Sequence, residues 1–278
     1  MPFQRGTAKR AYCLDHCCPS SDPFAVYHLV IAALSVYAYF AGMVYIRSFI
    51  FNSLFYLMTG LVVVLLLPLL LLPSIVVRIV ARCWGWMTAK LLLIAGVKHR
   101  IHGATMLDRQ VIYAAKHQSA WETIVLVGFL RMPVTVMKRE LLFLPLVGLF
   151  FFRAGCIAVD RAAGMRALRE LRKSAVLHWQ RGRSLLIFPQ GTRVEPGANH
   201  GYEVGVFALY DATGLPVVPV ALNSGHVWPR NSWTKKPGIV DVRFLPPIAP
   251  GLSRKVFMAE LEKRIEAGMA AIDTLHEN

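Results

Sequence analysis

The stretch that decides the fold is "VIYAAKHQSAWETIVLVGFL", residues 111–130. Its first six residues form an apolar run of strand length, and residues 122–130 read as a helix. Between the two stands His117, with Glu122 five positions further on. On a continuous helix that spacing would put the side chains about 140° apart. It brings them together if His117 ends a strand and Glu122 lies in the first helical turn. Ser119 supports such a break, because it is a good N-cap and Glu122 follows three positions later, as a capping box requires. Two readings stand open here. Glu122 caps a helix and His117 ends a strand, or His117 is a general base. In the second case the carboxylate holds the tautomer that leaves the other ring nitrogen free to take a proton.

Working outward, the same alternation continues. Further strands are expected at 99–103, 133–138, 155–160, 184–188 and 217–222, with 239–245 as an edge strand. Helices are expected at 164–180, at 203–213 before Gly214, and at 253–275. Strands alternating with helices predict an α/β domain over residues 85–278, with a largely parallel sheet flanked by helices.

The amino-terminal part has another texture. The chain of 278 residues is 55% hydrophobic and only 17% charged, so membrane segments are the first thing to seek. Residues 24–46 carry no Lys, Arg, Asp or Glu, which is long enough for one membrane helix. Arg47 interrupts, and a second uncharged run covers residues 48–77. Pro68 and Pro73 within it predict a kinked span or a shallow re-entrant hairpin. The expectation is thus a polar, basic tail over 1–22 and membrane-spanning or membrane-embedded helices over 23–84. Met43 precedes the second run, and whether the core protein needs residues 1–42 stays open at this point. Arg78, Arg82, Lys90, Lys98 and Arg100 follow it closely and place the α/β domain on the cytoplasmic side. The first run is too long for a signal peptide.

A formal charge of +15, from 31 Lys and Arg against 16 Asp and Glu, points to anionic membrane lipids or phosphorylated substrates. Nucleic acid is not the expected partner, since no helix-turn-helix pattern, zinc-finger spacing or aromatic-basic RNA signature is present. The five cysteines form no even framework. Cys13, Cys17 and Cys18 around His16 have no second ligand pair at finger spacing, and Cys156 reads as a buried structural thiol.

Two more strand ends carry chemistry. "FPQGTR", Phe188 to Arg193, offers backbone N–H groups, a hydroxyl and a guanidinium at the carboxyl edge of a sheet. Open α/β sheets bind ligands at that edge, and the Arg fork suits phosphate. "GCIAVDR", Gly155 to Arg161, is another strand ending in an acid and an arginine. Each alone is an ordinary turn or surface ion pair.

In order, the three strand ends and the buried "VVPVAL" that follows them resemble the glycerolipid acyltransferase family, most of all the bacterial 1-acylglycerol-3-phosphate acyltransferases. His117 to Glu122 matches the family's His-x4-Asp with a longer acid. Asp160 and Arg161 match its second motif. Phe188 to Arg193 matches Phe-Pro-Glu-Gly-Thr-Arg with Gln190 in place of Glu, and Val218, Pro219 and Val220 match the fourth. "MKRELLFLPLVG", residues 137–148, looks like the segment usual between the first two motifs. The likeness runs from about residue 85 to 250.

The resemblance implies acyl transfer from a thioester to the free hydroxyl of lysophosphatidic acid, giving phosphatidic acid. Acyl-CoA or acyl carrier protein brings the donor, and no tightly bound cofactor or metal is implied. His117 and Glu122 are the expected catalytic pair. Lys138, Asp160, Arg161, Gln190, Gly191, Thr192 and Arg193 are the expected substrate-binding residues, with Arg161, Arg193 and Lys138 on the phosphate. The expected place is the bacterial inner membrane, with the catalytic domain on its cytoplasmic side. Gln190 leaves open another lysolipid acceptor, such as a lyso-ornithine lipid or a lysophospholipid with a larger head. A lipid hydrolase using His117 to activate water is disfavoured, because no Gly-x-Ser-x-Gly elbow is present. A non-catalytic membrane-binding homologue is disfavoured by the intact His117, Asp160, Gly191 and Arg193.

Overall fold

The computed structural model describes residues 23–130, 132–198 and 200–277. The tail 1–22, with its cysteine cluster, lies outside the described residues. The chain divides into two compact units, Met1–Met43 and Val44–Asn278. That boundary falls inside helix α1 (Pro23–Leu65), well ahead of residue 85, where the texture of the sequence changes.

Within the first unit, residues 24 and 26–40 are exposed although most are apolar. Among the described residues one helical segment, Val26–Leu65, is long and apolar enough to cross a membrane. About 20 residues suffice for that, so the segment is twice the needed length. The interruption expected at Arg47 does not occur. Arginine is a good helix former, and here its side chain is exposed, so the backbone ladder runs through it.

In the second unit the remainder of α1 turns Ser48, Phe51, Asn52 and Phe55 inward, at helical spacing. Phe51 meets Trp228 edge to face at 5.6 Å. Ser48 Oγ accepts from Lys235 N at 2.8 Å, and Asn52 Nδ2 donates to Trp233 O at 2.8 Å. The prolines act as expected: α1 ends at Leu65, a 3-10 turn covers Leu67–Leu71, and α2 (Ser74–Leu91) starts after Pro73. Helix α2 packs on α3 (Trp121–Phe129) through glycines. A Cβ on Gly85 would stand 2.6 Å from Ile124 O, so any larger residue would force the helices apart.

Among the described residues seven strands form one sheet: β1 (Val97–His102), β2 (Ile112–Ala115), β3 (Val134–Lys138), β4 (Ile157–Val159), β5 (Leu185–Ile187), β6 (Val217–Leu222) and β7 (Gly238–Phe244). Their order is β1-β7-β6-β2-β5-β3-β4, and only β6–β7 is antiparallel. Strand β7 is therefore interior, not the edge strand expected at 239–245. Asp241 on β7 is fully buried and accepts both Arg100 (3.0 Å) and His102 (2.8 Å) from β1. Those pairs let an acid-bearing strand sit inside the sheet and leave β1 as the edge.

Alternation along the strands feeds two cores. Tyr113 and Ala115 of β2 face one way, against α3 and the inner stripe of α1. Ile112 and Ala114 face the other, against α5 (Met165–Gln180), α6 (Gly205–Thr213) and α8 (Arg254–Glu277). The last presents Phe257, Leu261 and Ile265 at four-residue intervals. Short α4 (Val147–Ala154) ends at Gly155, and one-turn α7 (Ser224–Val227) follows β6. The sheet is mixed but mostly parallel and lies between helices.

Candidate active site

Strands β2, β5, β3 and β4 are neighbours and run parallel, so their carboxyl ends share one edge of the sheet. His117 follows β2, Phe188 to Arg193 follow β5, Lys138 closes β3, and Asp160 with Arg161 follow β4. The topology thus brings every candidate residue to one edge.

His117 is held from several sides. Its Nδ1 lies 2.9 Å from Glu122 Oε1, its ring stacks on Phe188 with centroids 4.3 Å apart, and its carbonyl accepts Val194 N at 2.8 Å. Glu122 is fully buried. Its Oε1 also accepts the backbone N–H groups of Gln118 (2.6 Å) and Ser119 (2.7 Å), and its Oε2 accepts Ser224 Oγ (2.6 Å) and Ser119 Oγ (3.3 Å). Burial alone pushes this carboxyl upward. The bond and charge of His117, then the bonds from Ser224 and Ser119, outweigh it and hold the group below its ordinary value. An ionised carboxylate only accepts, so His117 Nδ1 donates to it, and in the neutral ring Nε2 is left with the free lone pair.

Both contacts of Glu122 are present at once. It closes back on Ser119 N as a capping box does, while it also orients His117. The cap itself departs from the expected geometry. Helix α3 begins one residue later, with Ala120 at the N-cap position, and Ser119 Oγ accepts Trp121 N at 2.9 Å.

Gln190 is buried, and its Oε1 accepts His117 N at 3.1 Å, while its Nε2 has no partner among the described residues. An amide thus occupies the place where the family pattern has an acid, and it touches the histidine backbone. Gly191 adopts φ +68°, and Arg161 Nη1 lies 3.3 Å from where a Cβ would stand. The turn after β5 and the arginine after β4 therefore meet. Asp160 points elsewhere: Oδ2 pairs with Arg139 at 3.1 Å and Oδ1 accepts Ala162 N at 3.1 Å. Arg161 and Arg193 make no ion pair among the described residues, and Lys138 is exposed at the end of β3. Thr192 is half-buried in the same turn.

Several partners carried no sequence signal. Ser224 stands 102 positions from Glu122 and meets it only because β6 lies beside β2. Arg139 and Phe188 were readable as residues of motifs but not as partners of Asp160 and His117. Arg230, whose Nη1 donates to Arg193 O at 3.1 Å, adds another cation beside the turn.

A histidine with a free ring nitrogen, a buried acid behind it and two arginines without acid partners suits proton removal from a hydroxyl on an anionic substrate. That is the equipment of a group-transfer enzyme. The comparisons with known proteins fix the group. A family model described as Acyltransferase matches residues 98–223. The 1-acyl-sn-glycerol-3-phosphate acyltransferase of Pseudomonas aeruginosa is 36% identical over 183 residues, covering 66% of this chain and 70% of the relative. The enzyme of that name from Escherichia coli K12 is 29% identical over 171 residues, covering 59% and 68%. The solved 1-acyl-sn-glycerophosphate (LPA) acyltransferase of Thermotoga maritima shares the fold, with a TM-score of 0.69 at 23% identity over 83% of this chain and 98% of that one. The chain belongs to the glycerolipid acyltransferase family, and its activity is that of an acyltransferase.

Proposed function

We propose that this protein transfers a fatty acyl group from a thioester, acyl-CoA or acyl carrier protein, to the free hydroxyl of lysophosphatidic acid, giving phosphatidic acid. The relatives' names support the acceptor, and one observation carries the chemistry: the 2.9 Å contact of His117 Nδ1 with the buried Glu122. His117 Nε2 takes the hydroxyl proton as that oxygen attacks the thioester carbonyl. The new C–O bond forms, the C–S bond breaks, and the imidazolium returns its proton to the departing thiolate. Glu122 stabilises the imidazolium through Nδ1. Arg161 and Arg193 hold the acceptor phosphate, with Lys138 at the rim, and Asp160 fixes Arg139 nearby. Gly191 N already donates to Phe188 O at 2.9 Å, which leaves the Thr192 N–H for the developing oxyanion in this reading. Gln190 positions His117 through its backbone and leaves the acceptor's phosphate to the arginines.

A lysolipid keeps its headgroup at the membrane interface, so the site works there. Support for membrane attachment comes from α1 and from exposed Leu71, Leu72, Phe143, Leu149 and Phe152 in the second unit. Arg153 donates to Leu72 O and ties α4 to the turn after α1. The basic residues after that turn support a cytoplasmic catalytic domain.

The deciding experiment follows thiol release from oleoyl-CoA or the carrier-protein thioester by detergent-purified protein, with and without lysophosphatidic acid. Release should require the acceptor and fall by about 10² to 10⁴ in His117→Ala. Free fatty acid as sole product would mean a hydrolase, and release only with another lysolipid would change the acceptor.

A further inference from the structure

A cavity of about 300 Å³ opens at the sheet edge opposite His117. Its walls include Ile75 and Arg78 from α2, Arg109 and Gln110 before β2, Pro133 before β3 and Arg183 before β5. Those three strands run parallel, so the cavity lies at their amino ends. From Gln110 to His117 the chain advances roughly 20 Å at strand geometry. The cavity is therefore no part of the acyl-transfer site.

The cavity gathers positive charge without an acid to match. Arg78 and Arg183 are half-buried and make no ion pair among the described residues. Arg78 Nη1 donates to Ser74 Oγ at 2.9 Å. Arg183 makes two contacts at the outer limit of hydrogen bonding, 3.4 Å to His178 Nδ1 and 3.5 Å to Met132 O. Each guanidinium has five N–H donors, so most of them remain available. The one acid on the rim, Asp108, is exposed and faces its neighbour Arg109 at 3.6 Å.

The field of this cluster reaches its neighbours. Burial, then Arg78, push Arg183 down to about 10. Burial, then Arg183, Arg181 and Arg78, push His178 down to about 4. Beside the arginines lies an apolar strip: Leu71 and Leu72 of the turn before α2 and Ile75 and Ile79 of its first turns are all exposed.

We propose that this cavity binds a phosphate ester, clamped by Arg78 and Arg183, and that the adjoining apolar strip makes a phospholipid headgroup its source. Paired guanidinium forks suit phosphate oxygens, and the strip gives the acyl chains a surface beside the clamp. The proposal does not depend on the acceptor used at His117.

The test titrates inorganic phosphate calorimetrically into full-length protein in nonionic detergent. It is run in an Arg193→Gln background, which removes one phosphate-holding arginine from the other edge. Binding should persist there and weaken roughly tenfold or more when Arg78→Gln is added. In flotation with phosphatidylcholine vesicles, the extra binding gained by including phosphatidylglycerol should fall in Arg78→Gln. Weakened phosphate binding with unchanged flotation would keep the site and replace the lipid by a soluble phosphate ester. If Arg78→Gln changes neither titration nor flotation, the proposal is overturned. Arg183→Gln is secondary, because its half-buried position makes loss of folding a competing explanation.

Discussion

Ser224 Oγ donates a 2.6 Å hydrogen bond to Glu122 Oε2, joining the first residue of α7 to the acid beside His117. Removing the hydroxyl leaves that buried oxygen with only the 3.3 Å contact from Ser119. Ser224→Ala should cost about 1–3 kcal/mol of stability in denaturant unfolding. It should also slow acyl transfer roughly tenfold, with little change in KM for the acceptor, because Glu122 touches the base and not the lipid.

Glu122 also sets a pH dependence whose sign can be worked out. Its folded-state pKa is lowered, so the carboxylate adds stability above the pKa of an unfolded glutamate, and that contribution is lost as pH falls through the folded value. The stability gap between wild type and Glu122→Gln should therefore be full near neutrality and shrink below about pH 4. Urea unfolding of both proteins across that range measures it. A gap that stays constant to the lowest accessible pH would contradict the ionised assignment.

Gln190→Glu restores the family's acid at a place where its oxygen would accept His117 N. The new charge beside the ring favours the imidazolium, so the acidic limb of the kcat/KM profile should move to higher pH. The substitution also removes the unpartnered Nε2. An unshifted limb would mean the substituted side chain stays protonated or turns away from His117.

Gly191→Ala strains a residue at φ +68° by about 1–2 kcal/mol and sets a methyl 3.3 Å from Arg161 Nη1. The flexible guanidinium is the part that yields. KM for the acceptor should rise several-fold, whereas kcat should change less, since His117 and Glu122 are untouched. An equal fall in kcat with KM unchanged would assign the turn to the transition state.

Much of this was legible in sequence, because the relevant information was local. Apolar runs bounded by Pro, Gly and charged residues gave all seven strands, and five-residue spacing across a strand–helix break put His117 beside Glu122. Long-range pairing was less legible. The interior place of β7 was not legible, because Asp241 meets Arg100 and His102 only through the pairing of β7 with β1. Ser224 had no spacing to betray it, since only the adjacency of β6 and β2 brings it to Glu122. Arg47 misled by charge alone, because one exposed arginine leaves a helix intact. Gln190 was noticed as a departure from the pattern, but its contact with the histidine backbone was not foreseeable.

The stripe of Ser48, Phe51, Asn52 and Phe55 has a practical meaning for shortening the chain. A version beginning near Met43 keeps the whole stripe and the aromatic wall it covers. One beginning at residue 85, where the sequence texture changes, would strip the lid from Trp228 and strand Lys235 without its serine. Such a protein would expose a sticky aromatic surface to solvent, and it would be recovered as aggregate.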